Sequence, residues 1–326
     1  MAQVQPIEAR RLGCAAWETT RWRAWPVIRW RRCLVWWGTA LCGVLVLIAN
    51  DRFLRMAARE NPASRVNWLF LSSPTRYDVA ILGSSMAKES VDPEDLQRRT
   101  GATAVQLAWG GRGVSEQALY WKLFLQRHGC RVLLLELHPR GLERDVLPHP
   151  LDEFRYVARL DDPTIRQHLT REFGAMQVAV WRWVPMWAMA QFSTQIGWHD
   201  VLSIRRGDRF DPNIPAANAS RKESVDLERQ RLDPDTQPGR QPVDERAVAW
   251  FREIVAAARQ RGIDVVAIVP PVYRGFASEE MGWLNRYREL LGPDTPVFVP
   301  DGDYLHDQRN FADAWHVNAR GRAVYT

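Results

Sequence analysis

Tyr77-Asp78-Val79-Ala80-Ile81-Leu82-Gly83-Ser84-Ser85-Met86 decides how the rest of this 326-residue chain is read. A short apolar run ends in a glycine and two serines, then meets polar residues. A buried parallel strand reads this way when it delivers a nucleophile to the top edge of a sheet. Gly-Ser-Ser also suits an ordinary turn, so the stretch gains meaning only from partners elsewhere in the chain.

Working outward, residues 77–83 form the opening strand, and Asp92-Pro93-Glu94-Asp95 starts a short helix that ends at Gly101. Aspartate as N-cap, proline at the first helical position and acids in the first turn all favour that start. Residues 103–107 form a second strand that runs into Ala108-Trp109-Gly110-Gly111-Arg112-Gly113. Ser115 then caps a helix that continues to about residue 128, with Gly129 as its stop. Strand, glycine loop and helix point backbone N–H groups at an anion. The loop is either a tight turn or an oxyanion donor, and its spacing fits neither a P-loop nor a dinucleotide fingerprint. Residues 131–138, 263–270 and 296–300 give three more strands, with a helix over 243–261 before the fourth. Strands alternating with helices predict an α/β domain with a parallel sheet covered on both faces and ligands at the carboxyl ends of the strands.

The net charge of +6 does not describe a basic domain. Residues 1–32 hold seven arginines against Glu8 and Glu18, a net of +5, so the remainder is close to neutral. That excludes a nucleic-acid-binding surface from the expectation. The arm is followed by an uncharged run, residues 33–50, which spans about 27 Å as a helix. Trp30, Trp36 and Trp37 stand near one end of it, as interfacial tryptophans do. The arginine-rich flank predicts a cytoplasmic N-terminus and an exported remainder, periplasmic or extracellular. No small-x-small cleavage site is evident after the run, so an uncleaved single-pass anchor in the cell membrane is expected. The organisation is then a basic arm (1–32), a transmembrane anchor (33–50), a connector (51–76) and an exported domain (77–326) with an insertion over 140–242. Of the four cysteines only Cys130 falls in the exported part, which leaves no intramolecular disulfide there. No Cys/His cluster has zinc spacing, and neither a metal nor a cofactor is expected.

Within the insertion, residues 175–192 carry three tryptophans and three methionines. They form the core of a helical cap, line a substrate groove, or face a membrane or a partner. Arg182 and Pro185 argue against a second transmembrane span. Residues 205–242 read as a long loop, and Asn218-Ala-Ser220 fits a glycosylation sequon.

Near the end stands Asp313-Ala-Trp-His316-Val-Asn318. Asp and His three apart in a tight loop place a carboxylate beside one ring nitrogen and leave the other free as a base. The pair follows the last strand, so it lies on the side where Ser85 and the glycine loop gather. Asn318 reads as the cap of a closing helix.

Ile-Leu-Gly83-Ser84-Ser85, the loop Gln106-Leu-Ala-Trp-Gly110-Gly111 and Asp313-x-x-His316-x-Asn318 together resemble the SGNH (GDSL-like) hydrolase superfamily. The likeness is greatest to its membrane-anchored branch, with Dlt-type and alginate O-acetylation proteins, and covers roughly residues 77–138 and 263–325. It implies a three-layer flavodoxin-like sheet, with Ser85 as nucleophile, His316 as general base and Asp313 as its orienting partner. The Ser85 and Gly111 N–H groups would serve as oxyanion donors. Ser84 stands where the family usually has aspartate. The Gly-x-Asn-Asp block is missing, and the chain reads Leu137-His138-Pro139-Arg140 at that place. His138 or Arg140 substitutes for the missing asparagine, or the hole is incomplete. The expected function is a serine esterase or O-acyltransferase acting on envelope or exported polysaccharide. The resemblance also implies a polytopic membrane acyltransferase as partner. The alternatives are a non-catalytic assembly subunit of such a system and a lipid-acting esterase.

Overall fold

The computed structural model of the chain describes residues 25–111, 113–143, 155–192, 194–213, 242–273 and 282–326. The sequon at Asn218, most of the 205–242 loop and most of the basic arm lie outside these residues. The chain divides into two compact units, Met1–Arg52 and Phe53–Thr326.

Helix α1 runs Trp25–Glu60. Its Arg32–Glu60 part is long and apolar enough to cross a membrane, with a mean hydropathy of 1.9 over its most apolar stretch. Large side chains along it, Trp36, Trp37, Leu41 and Val46 among them, are exposed.

In the second unit α1 ends before Asn61-Pro62, and Ser64 caps helix α2 (Arg65–Leu71) by accepting the Asn67 N–H. Residues expected to be a mere connector belong instead to the main core: Leu54, Ala58, Val66 and Leu69 are fully buried. Then follow β1 (Arg76–Leu82), α3 (Ser85–Ser90), α4 (Pro93–Thr100), β2 (Ala104–Gln106), α5 (Val114–Arg127) and β3 (Gly129–Glu136). The insertion supplies α6 (Pro163–Phe173), α7 (Ala175–Trp183), α8 (Trp187–Phe192) and α9 (Thr194–Arg206). The chain closes with α10 (Glu245–Gln260), β4 (Asp264–Ile268), α11 (Gly282–Leu291), β5 (Val297–Phe298) and α12 (Ala319–Tyr325).

The five strands are all parallel in the order β2-β1-β3-β4-β5, the reversal beside β1 that marks a doubly wound sheet. Alternate residues face opposite layers. Ala80, Leu82, Leu133, Leu135 and Ala267 join the large core with Leu119 and Phe124 of α5 and Phe251 and Ile254 of α10. Ile81 and Ile268 face the other way, onto Ala87, Val91, Ala108 and Tyr325. The expected α/β architecture is therefore present, with helices on both faces.

Local signals held at α4, where Asp92 accepts from the Glu94 and Asp95 N–H groups and Gly101 closes the helix at φ 73°. They did not at α5. Its N-cap is Gly113, and the Ser115 hydroxyl pairs with His168 Nε2 at 3.1 Å rather than capping. A tertiary partner outbid the local one. Helix α3 was not expected, because six residues carry too little periodicity to announce it.

Candidate active site

Strand β1 delivers the chain to the carboxyl edge of the sheet at Gly83. A Cβ on Gly83 would stand 2.6 Å from Glu136 Cβ and 2.8 Å from Ala87 Cβ, so only glycine lets β3 and α3 close in. Ser84 follows as the cap of α3, its Oγ accepting the Met86 N–H at 3.2 Å. The Ser84 N–H and hydroxyl both donate to the buried Glu136 carboxylate, the latter at 2.8 Å. Ser85 is thus the first residue of a short helix on a sharp strand-to-helix turn, half-buried at the edge. The turn presents its Oγ outward from the sheet.

The glycine loop lies alongside. Its Leu107 N–H donates to Ile81 O at 2.7 Å and its Trp109 N–H to Gly83 O at 3.1 Å, which ties the two strand ends together. A Cβ on Gly110 would sit 3.7 Å from Ser85 Cβ. Gly111 follows with φ 69°, a conformation that favours glycine. Lys88, one turn along α3 from Ser85, places its Nζ 3.3 Å from the Trp109 ring centroid and so steadies the loop. Burial lowers the Lys88 pKa to about 8, with the neighbouring Glu89 carboxylate opposing.

The third part comes from the far end of the chain. An antiparallel bridge between Phe311 and Val317 pinches residues 311–317 into a tight loop, closed by the Ala312 N–H to His316 O at 2.8 Å. Inside it Asp313 Oδ1 accepts the Trp315 and His316 N–H groups at 2.9 and 3.0 Å. The carboxylate, held in place, meets His316 Nδ1 at 2.8 and 2.9 Å. His316 Nε2 lies 2.8 Å from Ser85 Oγ. Asn318 caps α12 through the Arg320 and Gly321 N–H groups, and its amide donates to Arg309 O at 2.8 Å. Gly321 leaves no room for a Cβ against Asn310 O, so α12 seats directly on the loop that carries His316.

Asp313 beside Nδ1 assigns the proton to that nitrogen and turns the Nε2 lone pair to the serine hydroxyl. Burial works against a charged His316, but the Asp313 bond and charge outweigh it, helped by Glu89 and Glu136, so its pKa is raised. Asp313 moves the other way. Burial pushes its pKa up, while the His316 bond and charge and two backbone N–H groups bring the net below the usual value. Burial lifts Glu136 to about 7 against the pull of the Ser84 donors. Such an arrangement can activate a hydroxyl for attack on a carbonyl.

Ser85, His316 and Asp313 are brought together, with Gly110 beside Ser85 and Gly111 next along the same loop. His138 and Arg140 fare differently. Arg140 is engaged by Glu143 at 2.8 Å. His138 Nδ1 accepts the Arg140 N–H at 3.0 Å, and burial, with the Arg140 and His316 charges, lowers its pKa to about 4. It is a neutral ring with its proton on Nε2. Glu136 and Lys88 escaped the sequence reading. A glutamate closing an otherwise apolar strand was the available signal, since a buried carboxylate requires partners. Among the described residues no group of three or more His, Cys, Asp or Glu could hold a metal ion. Comparison with protein-family models gives no match, and neither does comparison with curated proteins.

Proposed function

We propose that the chain is a single-pass, N-in anchored protein whose exported domain is of SGNH type. It acts as a serine esterase or O-acyltransferase on envelope or exported polysaccharide. The observation that carries this reading is the unbroken hydrogen-bonded series Ser85 Oγ, His316 Nε2, His316 Nδ1 and Asp313 at a parallel-sheet edge. His316 Nε2 takes the Ser85 proton as Oγ attacks the acyl carbonyl. The resulting oxyanion is received by the Ser85 and Gly111 N–H groups. His316 then gives the proton to the leaving alkoxide, and an acyl-serine remains. A sugar hydroxyl or water, deprotonated by His316, attacks this ester, frees Ser85 and carries the acyl group away.

Of the two residues that could replace the absent asparagine, His138 suits the role better. A neutral Nε2–H donates without burying a charge, whereas the Arg140 guanidinium is taken up by Glu143. The N-in orientation rests on the arginine-rich arm, and the polytopic acyltransferase partner and carbohydrate acceptor rest on the family resemblance.

Treating the purified full-length chain with a fluorophosphonate probe and an aryl acetate tests the reading. Labelling and acetate release should both vanish in Ser85→Ala and His316→Ala. Absence of both from a folded wild-type protein would sink the enzyme reading and leave the assembly-subunit alternative.

A further inference from the structure

Helix α9 packs Val201 on the core but also buries two polar side chains, and leaves large apolar ones outside. Its buried side carries Gly197, Asp200 and Ser203, and its exposed side carries Trp198 and Leu202. Asp200 is fully buried, its Oδ1 accepting from Asn61 Nδ2 at 2.6 Å and from Arg155 at 3.2 Å, while its Oδ2 has no hydrogen-bond partner among the described residues. Ser203 donates to Asp208 at 2.9 Å. A helix that borders water places its polar side outward. Here Asp200 and Ser203 are spent on the protein, and Trp198 and Leu202 stay 54% and 50% exposed beside His199 and Arg205.

Helix α7 has an ordinary apolar inner side but shares the exposed apolar stripe. Val178 and Trp181 turn inward, while Met176, Ala179 and Trp183 form an outward stripe, with Met176 84% and Trp183 72% exposed. Trp187, at the start of α8, is 52% exposed. Single exposed apolar residues are ordinary on a protein surface. Three exposed tryptophans on consecutive helices are not, and the indole suits the boundary between headgroups and acyl chains.

Charge and chain connection identify the neighbour. Between residues 175 and 206 the sole acid is Asp200, which is buried, whereas Arg182, Arg205 and Arg206 are exposed. An apolar stripe rimmed by arginines fits an anionic lipid surface. Phe53, whose ring centroid lies 6.1 Å from that of Trp198, follows the uncharged run by three residues. Even a fully extended chain holds Phe53 within about 10 Å of Asn50.

We propose that the exposed stripes of α7, α8 and α9 lie in the headgroup and outer acyl region of the bilayer that the N-terminal helix crosses. The insertion is a second, peripheral membrane contact, independent of what the Ser85 site does.

The test uses the full-length chain with its four cysteines changed to serine, reconstituted in vesicles of phosphatidylcholine and phosphatidylglycerol. Trp183→Cys, Trp198→Cys and Leu202→Cys each receive a bimane label, and Arg252→Cys on the exposed side of α10 is the control. Doxyl-labelled lipid should quench the first three at least threefold more than the control, and removing phosphatidylglycerol should weaken the effect. Quenching at 183, 198 and 202 no greater than at 252, in proteins with unchanged circular dichroism, would overturn the proposal. That is also the outcome expected if a protein partner, rather than lipid, covers this face.

Discussion

The carboxyl edge of the sheet and the helices of the insertion follow opposite rules. At the edge, polar side chains gather and hold one another. Two backbone N–H groups fix Asp313, Asp313 fixes His316, and Glu136 fixes Ser84. The helix that covers the sheet behind them, α10, turns Val248, Phe251, Ile254 and Val255 inward and Arg252 and Arg259 outward. In α9 the acid and the serine are inside and the tryptophan and leucine outside. Both helices have an apolar stripe, so a stripe reports that an apolar neighbour exists without saying whether it is the protein's own core.

The largest effect that would break the contrast comes from the edge. Ser85→Ala should lower ester hydrolysis by about 10⁴-fold or more, as loss of a triad member does. The melting temperature should barely move, because among the described residues the hydroxyl bonds only to His316. Residual hydrolysis above about a tenth of wild type would place the chemistry elsewhere. Next come the paired helices. Phe251→Ala in α10 removes a buried ring and should cost about 3–5 kcal/mol in urea unfolding. Trp198→Ala in α9 should stay within about 0.5 kcal/mol, as surface substitutions do. Equal costs would show that Trp198 is packed against the chain far beyond its edge contact with Phe53. Gly83→Ala ranks third. The added methyl meets Glu136 and Ala87, and overpacking of this kind costs about 1–3 kcal/mol. It should also lower turnover by pushing Ser85 away from His316, read as a fall in kcat with KM little changed.

Sequence patterns revealed the parts of this molecule that are governed locally. An apolar run closed by Gly83 announces a strand end, and Asp313-x-x-His316 announces a loop able to hold its own carboxylate. Sheet topology put them on one side, and the family resemblance paired them across 231 residues. What escaped was decided by distant partners. Glu136 is the one acid within the 131–138 strand, and its burial rests on the two donors that Ser84 supplies. Ser115 reads as a cap, yet His168 claims it. In residues 175–192, Trp181 and Met189 are core while Met176, Trp183 and Trp187 are surface. Composition describes the segment as a whole and does not say which of its tryptophans face inward.

The smallest effect concerns proton balance at the edge. His316 must be neutral to accept the Ser85 proton, and its pKa is raised, so kcat/KM should rise with pH with a midpoint above the ordinary histidine value. Asp313→Asn removes the largest favourable partner of the imidazolium and should bring that midpoint down, along with the rate. Glu136→Gln removes a weaker carboxylate influence and should bring it down less. Stability should respond separately. Glu136 is lifted from 4.5 to about 7 in the folded chain, so its contribution is fully present below 4.5 and lost as pH rises through about 7. His316, also raised, loses its contribution in the same direction as pH rises through its folded value. Wild-type melting temperature should therefore fall between pH 5 and 8, and Glu136→Gln, which keeps a hydrogen-bonding group beneath Ser84 without a charge, should flatten part of that fall. An equally steep fall in the variant would mean that Glu136 is already ionised at pH 5 and that the Ser84 donors, rather than burial, govern its proton.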